Sequence, residues 1–207
     1  MKRLSYIALV ILAIVTLAST GWAQKAGVIG THHDVGGNGC KSCHAPHNGS
    51  VATGGASQAT GKILLWDRDF TTQTFGTYSS PTLNNATTEV GASAPTATDP
   101  RLYSFLCMSC HDGVTTPSVI GPTKDEAVGN PTNSFGLQND HPVNMNYDPT
   151  QDSGLAAIAS VTAAGLKLYG ASNTVQCASC HNVHNDSISP FLRKSNAGSA
   201  LCVACHT

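Results

Sequence analysis

Apolar positions along the 207-residue chain gather into a few short runs separated by long polar stretches. The first run, Tyr6 to Leu17, is interrupted only by Thr16. Lys2 and Arg3 precede it, and Gly21-Trp22-Ala23 places small residues on either side of Trp22. A positive start, an apolar middle and a small-residue end predict a secretory signal peptide over 1–23, cleaved after Ala23. An uncleaved membrane anchor is the alternative, but the run is short for a bilayer span. Residues 24–207 then form a single exported domain. Within it, Gly61-Lys62-Ile63-Leu64-Leu65-Trp66, with Phe70, Phe75 and Tyr78 nearby, predicts short strands or ordinary core. Residues 45–61 carry no charge, and 82–98 are small and polar; both read as surface loop. Gly154 to Leu168 is Ala-rich and helix-compatible, although its apolar spacing is irregular. Neither helical nor strand periodicity is sustained. The expected fold class is mostly irregular coil with short helices and few short strands.

Composition changes the picture. Aromatic residues are 6% of the chain, thin for a core built from side chains alone. Charged residues are 11%. Removing 1–23, which contain Lys2 and Arg3, leaves nine Lys+Arg against twelve Asp+Glu, a formal charge of −3 over 184 residues. No basic surplus exists to neutralise phosphates, so nucleic acid is not an expected partner. The excess lies elsewhere, in eight Cys and nine His.

All eight cysteines fall into one pattern. They pair as Cys40/Cys43, Cys107/Cys110, Cys177/Cys180 and Cys202/Cys205, and His44, His111, His181 and His206 follow the pairs directly. The blocks read CKSCH, CMSCH, CASCH and CVACH. This is the attachment signature of c-type haem. Two thiols must add to the two vinyl groups of one porphyrin edge, and an imidazole must reach the iron from the same backbone. On a helical turn, i, i+3 and i+4 share a face and meet that demand. Four disulfides, zinc, or thiol exchange would also use such cysteines. None of these explains the trailing histidines. At this composition, four histidines in four specified positions arise by chance with a probability on the order of 10⁻⁵ to 10⁻⁶. Four covalent haems are expected.

Five histidines remain: His32, His33, His47, His141 and His184. Four irons need four distal ligands for bis-histidine coordination, so the supply suffices with one spare. Methionine is the other axial choice and raises the potential. After the initiator only Met108 and Met145 exist, and Met108 lies inside its own attachment loop. The count favours low-potential, six-coordinate iron. His47 and His184 each follow a motif histidine by three residues. Such a histidine sits beside its own proximal ligand and is better placed to serve a neighbouring haem. His141 lies in an extended stretch before Pro142. Of His32 and His33, one reaches an iron and the other is the spare or a supporting partner. A compact domain of this size has a radius of gyration of about 16 Å. Four porphyrins inside it must approach one another edge to edge, close enough for fast electron tunnelling.

The blocks GKILLWDRDF, YSSPTL, RLYSFLCMSCHDG, DHPVNMNY, LKLYGASNTVQCASCHNVH and FLRKSNAGSALCVACH together resemble the doubled-CxxCH multihaem cytochromes of metal-reducing bacteria. The chain is most similar to the tetrahaem extracellular filament proteins of that group. The resemblance implies a homopolymer in which His47 ligates an iron of the adjacent subunit, that of the Cys202/Cys205/His206 motif. Such a head-to-tail contact does not close and yields an open filament. The resemblance further implies periplasmic or outer-membrane cytochromes as electron donors and extracellular metal oxides as acceptors. The spare histidine at 32 or 33 departs from the pattern, and the sequence carries no diagnostic of polymerisation itself. The alternative is a monomeric periplasmic tetrahaem carrier, with His47 kept within its own chain. An enzyme would need an open iron position, and the ligand supply argues against one.

Covalent tethers constrain the unfolded chain as cross-links do. With so thin an aromatic core, the chain expressed without haem attachment is expected not to fold. Limited proteolysis checks this, and a compact, protease-resistant apo form would contradict it.

Overall fold

The computed structural model describes residues 27–45, 63–72, 74–75, 77–85, 87, 98–112, 137 and 140–207. The expected signal peptide, His47, the rest of the 46–61 loop and most of 82–98 lie outside the described residues. The regular elements are short. Helix α1 spans Leu102–His111, strand β1 Met145–Asn146, helix α2 Ile158–Ala163, strand β2 Thr174–Val175 and helix α3 Cys177–Cys180. Tight 3₁₀ turns occupy Val35–Gly37, Gly39–Ser42, Ala197–Ser199 and Cys202–Ala204. The two strands pair antiparallel, Met145 opposite Val175 and Asn146 opposite Thr174. The remainder of the described chain is turn and coil, as the absence of sustained periodicity predicts.

Helix α1 is the longest element because its sequence, LYSFLCMSCH, contains no Gly, Pro or β-branched residue. Leu102, Phe105 and Met108 recur at helical spacing and are buried. They meet Ile63, Trp66, Phe70, Phe75 and Leu137 in one apolar cluster, against which Cys43 packs. A second cluster joins Met145, Tyr147, Val161, Leu166 and Val175, with Cys205 at its margin. Each core thus touches an attachment cysteine. Met108 and Met145 are both committed to these cores.

Two expectations are refined. The helix anticipated over 154–168 is confined to Ile158–Ala163. Its N-terminal side is taken up by hydrogen bonds from Ala156 and to Gly154, and Gly165 at φ +90 lies just beyond its end. The described part of the 61–66 run, residues 63–66, forms a turn in place of a strand. Trp66 N–H donates to Ile63 O at 2.9 Å, and Leu64 and Leu65 both adopt φ 56. Two consecutive left-handed leucines are costly, on the order of 1–3 kcal/mol each. Their carbonyls are used for the attachment site described below.

Gln176 ties the two longest motif-bearing segments together. Its buried Oε1 accepts from Ser104 N–H in the first turn of α1 at 3.0 Å, and its Nε2 donates to Pro100 O. Ser104 Oγ in turn accepts from Cys177 N–H at 3.4 Å. Ser104 N–H, near the start of α1, is therefore shared between Arg101 O and the residue that begins α3. Replacing Gln176 by Leu removes both of its bonds to this turn, leaving Ser104 N–H with its bond to Arg101 O at 3.0 Å alone and Pro100 O without this donor. The expected cost is about 1–3 kcal/mol of stability, read as a lowered denaturant midpoint of the holo-protein. An unchanged midpoint would show that the bond does not matter.

Candidate haem-attachment sites

Every Cys-x-x-Cys-His block is wound into a helical turn. His44 N–H donates to Cys40 O at 2.9 Å, His181 N–H to Cys177 O at 3.1 Å and His206 N–H to Cys202 O at 2.9 Å. Cys107, Cys110 and His111 occupy the last two turns of α1. Two sulfurs and one imidazole thus project from a single turn in each block, the arrangement that one porphyrin edge and its iron require.

Three of the four blocks are gripped by the same backbone clasp, supplied by a remote segment. In the first, Asp67 N–H donates to Cys43 O at 2.8 Å, and Ala45 N–H to Leu65 O at 2.8 Å. In the third, Arg193 N–H donates to Cys180 O at 2.8 Å, and Asn182 N–H to Phe191 O at 2.7 Å. In the fourth, Ala156 N–H donates to Cys205 O at 2.8 Å, and Thr207 N–H to Gly154 O at 2.9 Å. Each clasp pairs the motif histidine with one residue as a single antiparallel bridge: His44 with Trp66, His181 with Leu192 and His206 with Leu155. Leu65 and Phe191, which match in position, both have positive φ, 56 and 58. Arg side chains add a further hold. Arg68 Nε donates to Ser42 O at 2.6 Å, and Arg193 Nε to Ala178 O at 2.8 Å.

The clasp also sets the imidazole. His44 Nδ1 lies 2.6 Å from Leu64 O, and His181 Nδ1 lies 3.0 Å from Pro190 O. A carbonyl oxygen only accepts, so Nδ1 carries the proton and Nε2 keeps its lone pair for a metal. The strained leucine turn is therefore a fitted part of the first site.

The structure next brings histidine rings of different segments close to one another. Ring centroids of His44 and His184 are 6.3 Å apart, those of His141 and His206 6.3 Å, and those of His33 and His111 6.0 Å. Two imidazoles sharing one metal, each nitrogen about 2 Å from it, place their centroids roughly 6 Å apart. The three distances match that spacing. Each pair joins one motif histidine to one of the five others. No ring contact between His181 and a described histidine accompanies them. His33 is half-buried, with its ring edge-on to Phe191 at 4.5 Å, and its buried Nδ1 has no hydrogen-bond partner. His32 is exposed. The geometry thus separates the two neighbours that the sequence left equivalent. It also sets His141 opposite His206, the position to which the filament resemblance directs His47.

Burial tunes these rings toward the neutral form that a metal needs. It lowers the pKa of His33, helped by His111 and His32. Burial does the same for His111, with His181 adding to it and Asp112 opposing. His184 is lowered by burial first, then by His44 and Arg193.

The attachment cysteines of successive blocks adjoin. The Cys107 and Cys177 thiols share a hydrogen bond that raises the first well above the usual thiol range and lowers the second. Cys43 is raised by burial and then by Cys110. Cys180 is pushed up to about 11 by burial and then by Cys205. Among the described residues no three His, Cys, Asp or Glu side chains gather as a bare-ion site. A porphyrin supplies four nitrogen ligands itself and asks the protein for two, and the ring pairs supply two.

The sequence missed Gln176, Arg68, Arg193 and the Leu64–Leu65 turn, since each acts through contacts remote in the chain. Among curated proteins, none matches the chain. Residues 170–207, which hold the third and fourth blocks, match the family described as the doubled CXXCH motif. The paired motifs of that segment are those of covalent c-type haem attachment.

Proposed function

We propose that this chain transfers electrons through four covalent haems, each ligated by two histidines, as the subunit of an extracellular cytochrome filament. The observation that supports the reading is the set of three opposed imidazole pairs at 6.0–6.3 Å. Bound haem supplies a reversible one-electron iron couple, whose potential the axial ligands help to set. The chain's own part is positioning. The clasps hold three of the four motif histidines, and the three imidazole pairs would hold their haems from both sides, which would leave no open position there for a substrate. The role is that of a carrier, not a catalyst.

His47 carries the polymer part of the proposal. His181 is the motif histidine without an opposed described ring, so the iron beside it is the acceptor we assign to His47 of an adjacent subunit. An exported chain joined in this way takes electrons from periplasmic or outer-membrane cytochromes and passes them to extracellular acceptors such as metal oxides. A monomeric periplasmic carrier is the second reading. It is favoured by the closure of three ring pairs within one chain.

Electron microscopy of the secreted fraction separates the two. Long fibres are expected, and single-chain particles alone would favour the carrier. In the same preparation, His47→Ala is expected to abolish fibres and to leave one haem in four high-spin. Fibres that persist with every haem low-spin would remove His47 from the interface.

A further inference from the structure

We infer that His184, carried by the third attachment block, is the sixth ligand of the iron held by the first block, and that Gly27 is its positioning residue. The inference rests on the bis-histidine reading above and names one of its bonds. His44 has Nδ1 committed to Leu64 O, which directs Nε2 away from the clasp. The His184 ring stands 6.3 Å from that of His44, and their planes are inclined by only 23°. His184 lies three residues beyond His181, on the same short segment, so it is poorly placed to span its own block's porphyrin. Its ring is opposed to His44 instead.

What holds His184 there is backbone contact with Gly27. Gly27 N–H donates to His184 O at 3.0 Å. A Cβ at Gly27 would lie 2.5 Å from that oxygen, 3.0 Å from His184 C and 3.1 Å from Asn185 Cα. All three atoms are backbone, so even alanine must push the segment bodily. On the other side, Asn182 Oδ1 accepts from His184 N–H at 3.3 Å. Gly27 is thereby packed against the loop that presents His184.

Spin-state counting on the four-haem protein tests the assignment. His44→Ala and His184→Ala should each convert one haem in four from low-spin to a form lacking one axial histidine. The double variant should still have only one altered haem, because both changes strike the same iron. Two altered haems in the double variant would place His184 on another iron and overturn the assignment. An all-low-spin His184→Ala protein would do the same. Gly27→Ala, which keeps every ligand, should produce the same single altered centre, returned to low-spin by added imidazole. Loss of stability with all four haems still low-spin would reduce Gly27 to a structural role. A wild-type protein that is not uniformly low-spin would instead undermine the bis-histidine reading itself, so the two failures are distinguishable.

Discussion

Two imidazoles can share an iron only when their rings stand roughly 6 Å apart on opposite sides of it. Three histidine pairs of this chain meet that spacing, and they link segments far apart in sequence, joining residue 33 to 111, 44 to 184 and 141 to 206. Regular secondary structure supplies little of the order, since the longest helix has ten residues and each strand has two. The two modest apolar cores each touch an attachment cysteine, Cys43 in one and Cys205 in the other. Packing, tethering and ligation therefore act at the same places.

The recurring clasp shows how a coil-rich chain holds an imidazole still. Two backbone bonds to the end of the motif, and in two cases a third to the ring, leave little freedom for rotation. Three segments of unrelated sequence, 64–67, 190–193 and 154–156, reach this geometry. Backbone groups do the binding, so side-chain identity is nearly free, apart from the need for an extended or left-handed carbonyl. The second block lacks such a clasp among the described residues. There the ten-residue helix itself carries the cysteines and the histidine, and Gln176 secures its first turn.

The attachment residues were legible in the sequence because covalent chemistry demands a fixed local spacing. The general coil-rich class was legible for a related reason: no periodicity persists long enough to build a large element. The clasps were not, because Leu64 and Leu65 look like strand residues. Only the remote demand of His44 and Ala45 for acceptors shows why they take φ 56. The choice between His32 and His33 was also hidden. It turns on which ring packs against Phe191, a neighbour 158 positions from His33. The alanine-rich segment showed its helix but not its length, because a clasp claims the residues before it and Gly165 follows it.

The central claim is that every motif iron is capped on both axial faces by histidine. Mass spectrometry of the exported holo-protein, combined with ferric spin-state spectroscopy at neutral pH, tests it most directly. The account predicts four covalently attached haems per chain, all low-spin, none taking up carbon monoxide on reduction. Fewer than four haems, or a centre that remains high-spin in the pure, intact protein, would contradict it.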